Sequence, residues 1–156
     1  MSTPITKLGF QQLTDELEQL QSVERPQIVE AIAEARSHGD LKENAEYHSA
    51  KDKQGLVEAR IRYLKAVLST AEVIDIADIA YDGRVKFGVT VTVEDTENED
   101  SRVYQIVGVD EADIALGKIS VVSPVSRALM GKAVGDVIEV KTPKGVVEYE
   151  ILAIKH

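Results

Sequence analysis

The first half of the chain carries two rows of residues at helical spacing. One row advances alternately by three and four positions, the pattern that lays one helix along another, at Tyr47, Ala50, Gln54, Val57, Ile61, Leu64 and Leu68. A second row, at Phe10, Leu13, Leu17 and Leu20, changes phase around Arg25-Pro26 and resumes at Ile28, Ile32 and Ala35. Pro26 lacks an amide donor, so we expect it to kink or interrupt the first helix. The short polar stretch at residues 37–40 predicts that the two helices run antiparallel.

The second half of the chain changes to strand patterns, with valine and glycine replacing leucine. Alternating or β-branched runs predict strands at residues 89–93, 102–107, 137–141 and 146–154, and residues 126–130 predict a short helix. We therefore predict an α+β protein with a boundary near residue 75. Residues 1–75 form a coiled-coil hairpin with an acidic tip at about 37–47. Residues 76–156 form a small, bent antiparallel sheet packed on the short helix.

Composition narrows the classes of protein that this chain can represent. It has no cysteine, which excludes disulfides, thiolate zinc sites and cysteine nucleophiles. Its formal net charge of -9 argues against independent binding to bare nucleic acid or to an anionic membrane. The N-terminus has no signal pattern, and no run of 18 apolar residues occurs. We expect a soluble, non-exported protein that works in a reducing cytoplasm.

The predicted tip contains the densest chemistry in the sequence. Asp40 and Glu43 are three positions apart at the entrance to the second helix. One interpretation is a capping box, with Asp40 as the N-cap and Glu43 at the third helical position. The other is half of a Mg²⁺ site, because this ion usually takes one or two protein carboxylates and completes its shell with water and phosphate. Such a half-site would do no chemistry alone but could complete another active site.

The residues around the two acids allow further interpretations. His38 and His48 raise the possibility of a zinc cluster, although they lack the spacing of a helical zinc site. Arg36 and Lys51 form either a solvated face or a contact for RNA phosphate. Tyr47 lies on the helical seam, where packing is the simpler role than base stacking. No nucleotide-binding loop and no nucleophile–base set is found elsewhere in the sequence.

The run from His38 to His48 resembles the tip signature of the GreA/GreB family of bacterial transcript cleavage factors. Leu41 and Lys42 within it resemble the GreA branch more than the GreB branch. The resemblance covers nearly the whole chain and extends to residues 25–26, 31–36, 83–85, 87–88, 91–93, 106–108, 110–113, 123–124, 141–143 and 145. It implies a coiled-coil hairpin followed by an FKBP-like β domain.

The resemblance also implies a function. The β domain would dock on RNA polymerase, and the hairpin would enter the secondary channel and stimulate the polymerase's own cleavage of backtracked nascent RNA. Asp40 would help to hold a second Mg²⁺ in the polymerase active site, and Glu43 would orient or deprotonate the attacking water. Arg36 and Lys51 would contact the RNA 3′ end, and the loop at Ser123-Pro124 would contact polymerase.

Several expectations follow from this assignment. We expect that the protein is not an enzyme by itself and has no cofactor of its own. It should contact DNA only through the polymerase complex, and it should work in the bacterial cytoplasm. We expect a monomer, although one seam could also pair between chains. An alternative is a channel-binding regulator or inhibitor that does not stimulate cleavage, which the acid pair disfavours. A peptidyl-prolyl isomerase is disfavoured because the second half has few aromatic residues to line a pocket.

Overall fold

The computed structural model describes residues 2–39 and 44–156, and within them it confirms a helical hairpin followed by a mostly β domain. The described chain forms two compact units, residues 10–71 and residues 2–9 together with 72–156. The sequence analysis drew its boundary near residue 75 and kept the N-terminus with the hairpin. In the structure, residues 2–9 belong with the β unit because they form a strand and bond to it.

The hairpin is built from two helical arms. The first comprises α1 (Lys7–Gln19), a π-helical turn (Leu20–Glu24) and α2 (Arg25–Arg36), and the second is the 26-residue α3 (Ala45–Thr70). The seam predicted for α3 is confirmed, since all seven of its positions are buried or half-buried. Burial is greatest at Val57, Ile61 and Leu64 and decreases toward the start of the helix. At 1.5 Å per residue α3 is about 39 Å long.

The π turn explains the phase change that the sequence showed in the first arm. The backbone N–H of Arg25 donates to the carbonyl oxygen of Leu20, five residues earlier, which is the bond that defines a π turn. Leu13, Leu20 and Ile28 are all buried, although the interval from Leu20 to Ile28 is one residue longer than the interval from Leu13 to Leu20. The wider turn accommodates that extra residue and keeps the buried row on one face. The expected interruption near Pro26 thus takes the form of a local change of helix type, and Pro26 occupies the start of α2.

Two bidentate ion pairs link the arms. Arg25 donates from Nε and Nη2 to the two carboxylate oxygens of Glu58, at 2.9 and 2.7 Å. Arg60 donates in the same manner to Glu16, at 2.7 and 2.9 Å. The hydrogen bond from Arg25 holds the pKa of Glu58 below its ordinary value, although desolvation opposes this. The hydrogen bond from Arg60 likewise lowers the pKa of Glu16. Fork-shaped pairing of this kind fixes direction as well as distance.

The second unit contains a five-stranded sheet and a short helix, α4 (Pro124–Leu129). The strands are β3 (Thr90–Asp95), β4 (Ser101–Val107), β5 (Lys118–Ser120), β6 (Val137–Thr142) and β7 (Gly145–Lys155), and they lie in the order β5-β4-β3-β7-β6. The four predicted strands and the predicted helix are therefore present, with small shifts at their ends. The sheet is antiparallel except at its edge, where β5 runs parallel to β4 after a connection that contains two 3₁₀ turns.

The sheet encloses the larger core. Its buried residues come from all five strands of the sheet, from α4 and from the segment just before β3: Val85, Phe87, Val89, Val91, Val93, Ile106, Ile119, Leu129, Ile138, Val140 and Ile151. They alternate along the strands with residues on the opposite face, as expected for a sheet covered on one side. Ser126 in the middle of α4 is a buried polar residue, and its hydroxyl donates to the carbonyl of Ser120 at 2.6 Å.

The N-terminal strand β1 (Thr3–Thr6) pairs with β2 (Ala71–Ile74) and is tied to the sheet unit by one carboxylate. Glu111 accepts hydrogen bonds from the backbone N–H of Thr6 at 2.7 Å and from that of Gly108 at 2.9 Å. It also accepts from the Thr6 hydroxyl, and Thr6 is buried. A side chain at Gly9 would collide with Glu111, which accounts for the glycine. No helix in the two described stretches is long and apolar enough to cross a membrane.

Candidate functional site

The first arm of the hairpin ends in a hydrogen-bonded turn. α2 ends at Arg36, and the backbone N–H groups of His38 and Gly39 donate to the carbonyl oxygens of Ala35 and Arg36 at 3.2 and 3.3 Å. Gly39 has a φ of 108°, a conformation in which a side chain would be strained. Glycine therefore allows the chain to leave the helix at this point.

Asp40 and Glu43, the predicted metal ligands, lie outside the described residues, but the helix that follows them tests one interpretation of the pair. α3 begins at Ala45, and its N-cap is Asn44. The side-chain Oδ1 of Asn44 accepts a hydrogen bond from the backbone N–H of Tyr47 at 3.1 Å. The capping-box interpretation, with Asp40 as N-cap and Glu43 at the third helical position, is therefore wrong for α3. A closer residue of equal capping strength already holds that position.

Asn44 also makes a contact that the sequence analysis did not identify. Its side-chain Nδ2 donates to the carbonyl oxygen of Ala35 in the last turn of α2, at 2.5 Å. Ala35 is almost fully buried, so this bond lies beside the packed seam of the hairpin. An asparagine three residues before the first seam position, Tyr47, was a signal for the cap. Nothing in the sequence indicated the bond to the other arm.

The basic residues near the tip lie on the surface. Arg36 is exposed, and its guanidinium carbon lies 5.8 Å from the centroid of the Tyr47 ring, within the range of a cation–π contact. Tyr47 is half-buried, in keeping with the packing role expected from the seam, and its ring meets that of His48 edge-on at 5.5 Å. Lys51 is exposed, and its Nζ donates to Oε1 of Gln54 at 3.2 Å. Contact with RNA by Arg36 and Lys51 stays a prediction.

The zinc alternative gains no support from the described part of the site. Nε2 of His38 lies 3.7 Å from Oε2 of Glu46, and both side chains are largely exposed. Within residues 2–39 and 44–156, no three histidine or acidic side chains are grouped as metal ligands. The proposed cluster also includes Asp40 and Glu43, which those ranges omit.

The predicted polymerase-docking residues begin α4 in the second unit. Ser123 is its N-cap, and the Ser123 hydroxyl accepts the backbone N–H of Ser126 at 3.2 Å. Pro124 occupies the first turn, where its missing N–H costs nothing, and it is exposed. Capping and a fixed φ are sufficient reasons for this pair, so docking remains a prediction. Exposed Pro124 is the member of the pair that is accessible to a partner.

Comparison with known proteins finds the same relatives over both units. The family described as "Transcription elongation factor, N-terminal" matches residues 3–73. The family described as "Transcription elongation factor, GreA/GreB, C-term" matches residues 80–156. The two matches together cover the hairpin and the sheet unit.

Two individual relatives agree with the two family matches, and one solved structure is also similar to the chain. The chain is 55% identical over 151 residues to transcription elongation factor GreA of Psychrobacter arcticus, covering 97% of this chain and 96% of the relative. It is 56% identical over 153 residues to the GreA of Pseudomonas aeruginosa, covering 98% and 97%. Among solved structures, the GreA factor homolog 1 protein of Thermus thermophilus is 28% identical over the full length of both chains, with a TM-score of 0.46.

Proposed function

Because the chain belongs to the GreA/GreB family of transcription elongation factors, we propose that it stimulates RNA polymerase to cleave backtracked nascent RNA. The sheet unit docks on polymerase through the loop at Ser123-Pro124, and the hairpin enters the secondary channel with its tip toward the catalytic centre. Polymerase then hydrolyses the extruded RNA, releases a 3′ fragment and resumes elongation from the new end. The factor acts as a monomer in the bacterial cytoplasm.

The observation that carries this proposal is the cap of α3. Asp40 and Glu43 lie in the connection between the arms of an antiparallel hairpin, and Asn44 already supplies the cap that would otherwise explain them. The closest structural reason for two acids at these positions is thereby removed. Their chemistry suits a donated ligand set, since carboxylate oxygens are the protein ligands that Mg²⁺ prefers.

Each tip residue has a separate role in this proposal. Asp40 contributes a charged oxygen ligand that raises the occupancy of a weakly held Mg²⁺ of polymerase, and Glu43 orients the attacking water or accepts its proton. When bound, the ion supplies charge stabilisation at the reacting phosphate. The chain has no cofactor of its own. Its two acids form half a site, which is why it is not an enzyme in isolation.

The net charge of the chain indicates how the factor comes into contact with RNA. A net charge of -9 opposes independent binding to nucleic acid, so protein–protein contact with polymerase must deliver the factor to its RNA. Once there, exposed Arg36 and Lys51 contact the phosphates of the RNA 3′ end. Lys51 offers a point charge and not the fork of an arginine, so its contact is the weaker one.

The test is RNA cleavage in stalled, backtracked polymerase complexes with and without the protein. Asp40→Asn and Glu43→Gln should each lower the cleavage rate roughly 100-fold or more, because each removes a group that acts on the reacting atoms. Both variants should bind polymerase as the wild type does. Asp52→Asn, which neutralises an exposed acid of α3, is the matched control and should cleave normally.

Three other outcomes would contradict the proposal. If the wild-type protein binds polymerase but leaves cleavage unchanged, it is a channel-binding regulator or inhibitor. If the purified protein hydrolyses RNA with Mg²⁺ after rigorous removal of polymerase, the half-site argument fails. Wild-type cleavage by both acid variants would remove the metal role from the tip.

A further inference from the structure

An aromatic ring on one arm of the hairpin lies against an arginine on the other arm. The guanidinium carbon of Arg36, the last residue of α2, is 5.8 Å from the centroid of the Tyr47 ring in the first turn of α3. At this distance the electron-rich face of the ring attracts the cation. The contact therefore gives a preferred position to a side chain that is exposed and otherwise flexible.

The Tyr47 ring is itself held by α3. Tyr47 is half-buried on the seam, and its backbone N–H donates to Oδ1 of Asn44 at 3.1 Å. Its ring meets the ring of His48 edge-on, with the two centroids 5.5 Å apart. The ring is thus a fixed platform, and the guanidinium that it holds remains on the surface of the hairpin.

Arg36 differs from two other arginines of the hairpin in what its N–H donors contact. The forks of Arg25 and Arg60 are each occupied by a carboxylate of the other arm. No carboxylate within residues 2–39 and 44–156 pairs with Arg36. Stacking uses the flat face of a guanidinium and leaves the N–H donors around its edge available. Those donors match two oxygens of a phosphate group.

We propose that Tyr47 is a positioning residue for Arg36, holding the guanidinium ready to bind a phosphate of the extruded nascent RNA. This inference rests on the function proposed above. A long side chain that is immobilised on binding loses rotamer freedom, and a contact that restricts it beforehand reduces that loss. Tyr47 would therefore strengthen the contact with RNA without touching the RNA. The gain matters in a chain whose net charge of -9 opposes binding to nucleic acid.

The experiment measures the Kd of the factor for two polymerase complexes, a backtracked one with an extruded RNA 3′ end and one whose RNA ends in the active site. The ratio of the two affinities isolates the contact with extruded RNA, because docking is common to both complexes. Tyr47→Leu removes the ring but keeps an apolar side chain on the seam. It should lower the ratio roughly two- to fivefold, the effect of one exposed cation–π contact. Tyr47→Phe keeps a ring and should keep the wild-type ratio.

A double-mutant cycle separates positioning from a structural role of Tyr47. Arg36→Gln removes the cation and should lower the ratio at least as much as Tyr47→Leu. In the Arg36→Gln background, Tyr47→Leu should lower the ratio no further, because the group that the ring positions is absent. A purely structural residue would instead change both affinities alike. Circular dichroism checks the helix content of each variant, and Tyr47→Met is a second variant that removes the ring.

Tyr63→Leu is the matched control. The Tyr63 ring lies 5.5 Å from the guanidinium carbon of Arg60, whose donors already bind Glu16. Removing this second ring should leave the affinity ratio unchanged. An equal reduction by Tyr63→Leu would assign the effect to the hairpin in general and would overturn the positioning role.

The remaining outcomes distinguish this inference from the proposed function. A wild-type ratio for Tyr47→Leu and Tyr47→Met, with Arg36→Gln still impaired, would overturn positioning and leave the RNA contact of Arg36 intact. A further loss caused by Tyr47→Leu in the Arg36→Gln background would also overturn positioning, because Tyr47 would then act by itself. A wild-type ratio for Arg36→Gln would overturn both positioning and the RNA contact. Stimulation of cleavage is tested separately by Asp40→Asn and Glu43→Gln.

Discussion

Different interactions stabilise the hairpin and the sheet unit internally. The sheet unit encloses a core contributed by the five-stranded sheet, by α4 and by residues 85–89, whereas each arm of the hairpin buries one narrow row of side chains. The hairpin adds interactions of defined direction, the Arg25–Glu58 and Glu16–Arg60 pairs and the Asn44 bonds. We therefore expect substitutions of buried apolar residues to have the largest effects on the stability of the sheet unit. Substitutions of polar residues should mainly change the geometry of the hairpin.

The largest effect is expected in the core of the sheet. Ile151 on β7 is fully buried, so Ile151→Ala should lower the free energy of unfolding of the sheet unit by about 2–5 kcal/mol through lost burial and a cavity. Urea unfolding followed by circular dichroism measures it. Its neighbour Leu152 is 37% exposed, and Leu152→Ala should cost less than about 1 kcal/mol. Equal losses at the two positions would mean that β7 does not form the core as described.

A second prediction tests how the hairpin keeps its seam. Deleting Val23 from the π turn, together with Pro26→Ala, should restore a continuous α-helix with an even buried row and change stability by no more than about 1 kcal/mol. Deleting exposed Arg62 from α3 in the same Pro26→Ala background should be far more damaging, because Ile61 and Leu64 then face different directions. Thermal melting at 222 nm compares the two.

The opposite order of stabilities would contradict this explanation of the π turn. It would mean that the extra residue at Val23 is required for the packing of the first arm. Pro26→Ala alone is the reference for both deletions, so the effect of the proline on the helix is subtracted from each.

The sequence predicted most of these elements because their signals are local. The α3 seam and the four strands follow from periodicity, which survives in one sequence without knowledge of the fold. The phase change around Arg25-Pro26 indicated a kink or interruption in the first arm. It could not distinguish a kink from a π turn, because that choice depends on how the arm packs against α3.

What escaped prediction depends on residues that are distant in sequence. Asp40 and Asn44 both have capping side chains, and periodicity did not decide between them. The Ala35 carbonyl favours Asn44, and that acceptor belongs to the other arm. The attachment of β1 to the sheet unit through Glu111 and the parallel pairing of β5 are likewise set by tertiary contacts. Asp40 and Glu43 themselves stay predictions from motif and chemistry.

A smaller effect is expected from charges on the sheet. Glu94 on β3 lies directly opposite Glu150 on β7, and both are half-buried. Like charges in such a pair repel, so Glu150→Lys should raise the free energy of unfolding by about 0.5 kcal/mol at low ionic strength, and less in high salt. Glu97→Lys alters the net charge equally in an exposed turn and should stabilise less. The sheet would then contrast with the hairpin, where acids face arginines. Equal stabilisation by both variants would assign the gain to net charge.

The smallest effect concerns the Arg25–Glu58 pair of the hairpin. The bond to Arg25 holds the pKa of Glu58 below its ordinary value of 4.5. A lowered pKa in the folded state means that the pair contributes stability above the ordinary value and that this contribution disappears as the pH falls through the folded pKa. Glu58→Gln should therefore melt slightly below the wild type at neutral pH, and the difference should vanish in acid. Melting temperatures across the acidic range measure it.

The difference in melting temperature should be modest, because the side chains of Arg25 and Glu58 are 39% and 34% exposed and solvent screens their charges. Glu30→Gln removes one negative charge from an exposed position of α2 and controls for net charge. A difference for Glu58→Gln that persists unchanged in acid would show that its carboxylate acts through packing beside the π turn. Loss of the difference in acid, together with its reduction by salt, would instead support a fork-shaped ion pair that orients the arms and adds little stability. That result would show that, within the hairpin, an interaction can set the orientation of the arms while contributing little to the free energy of unfolding.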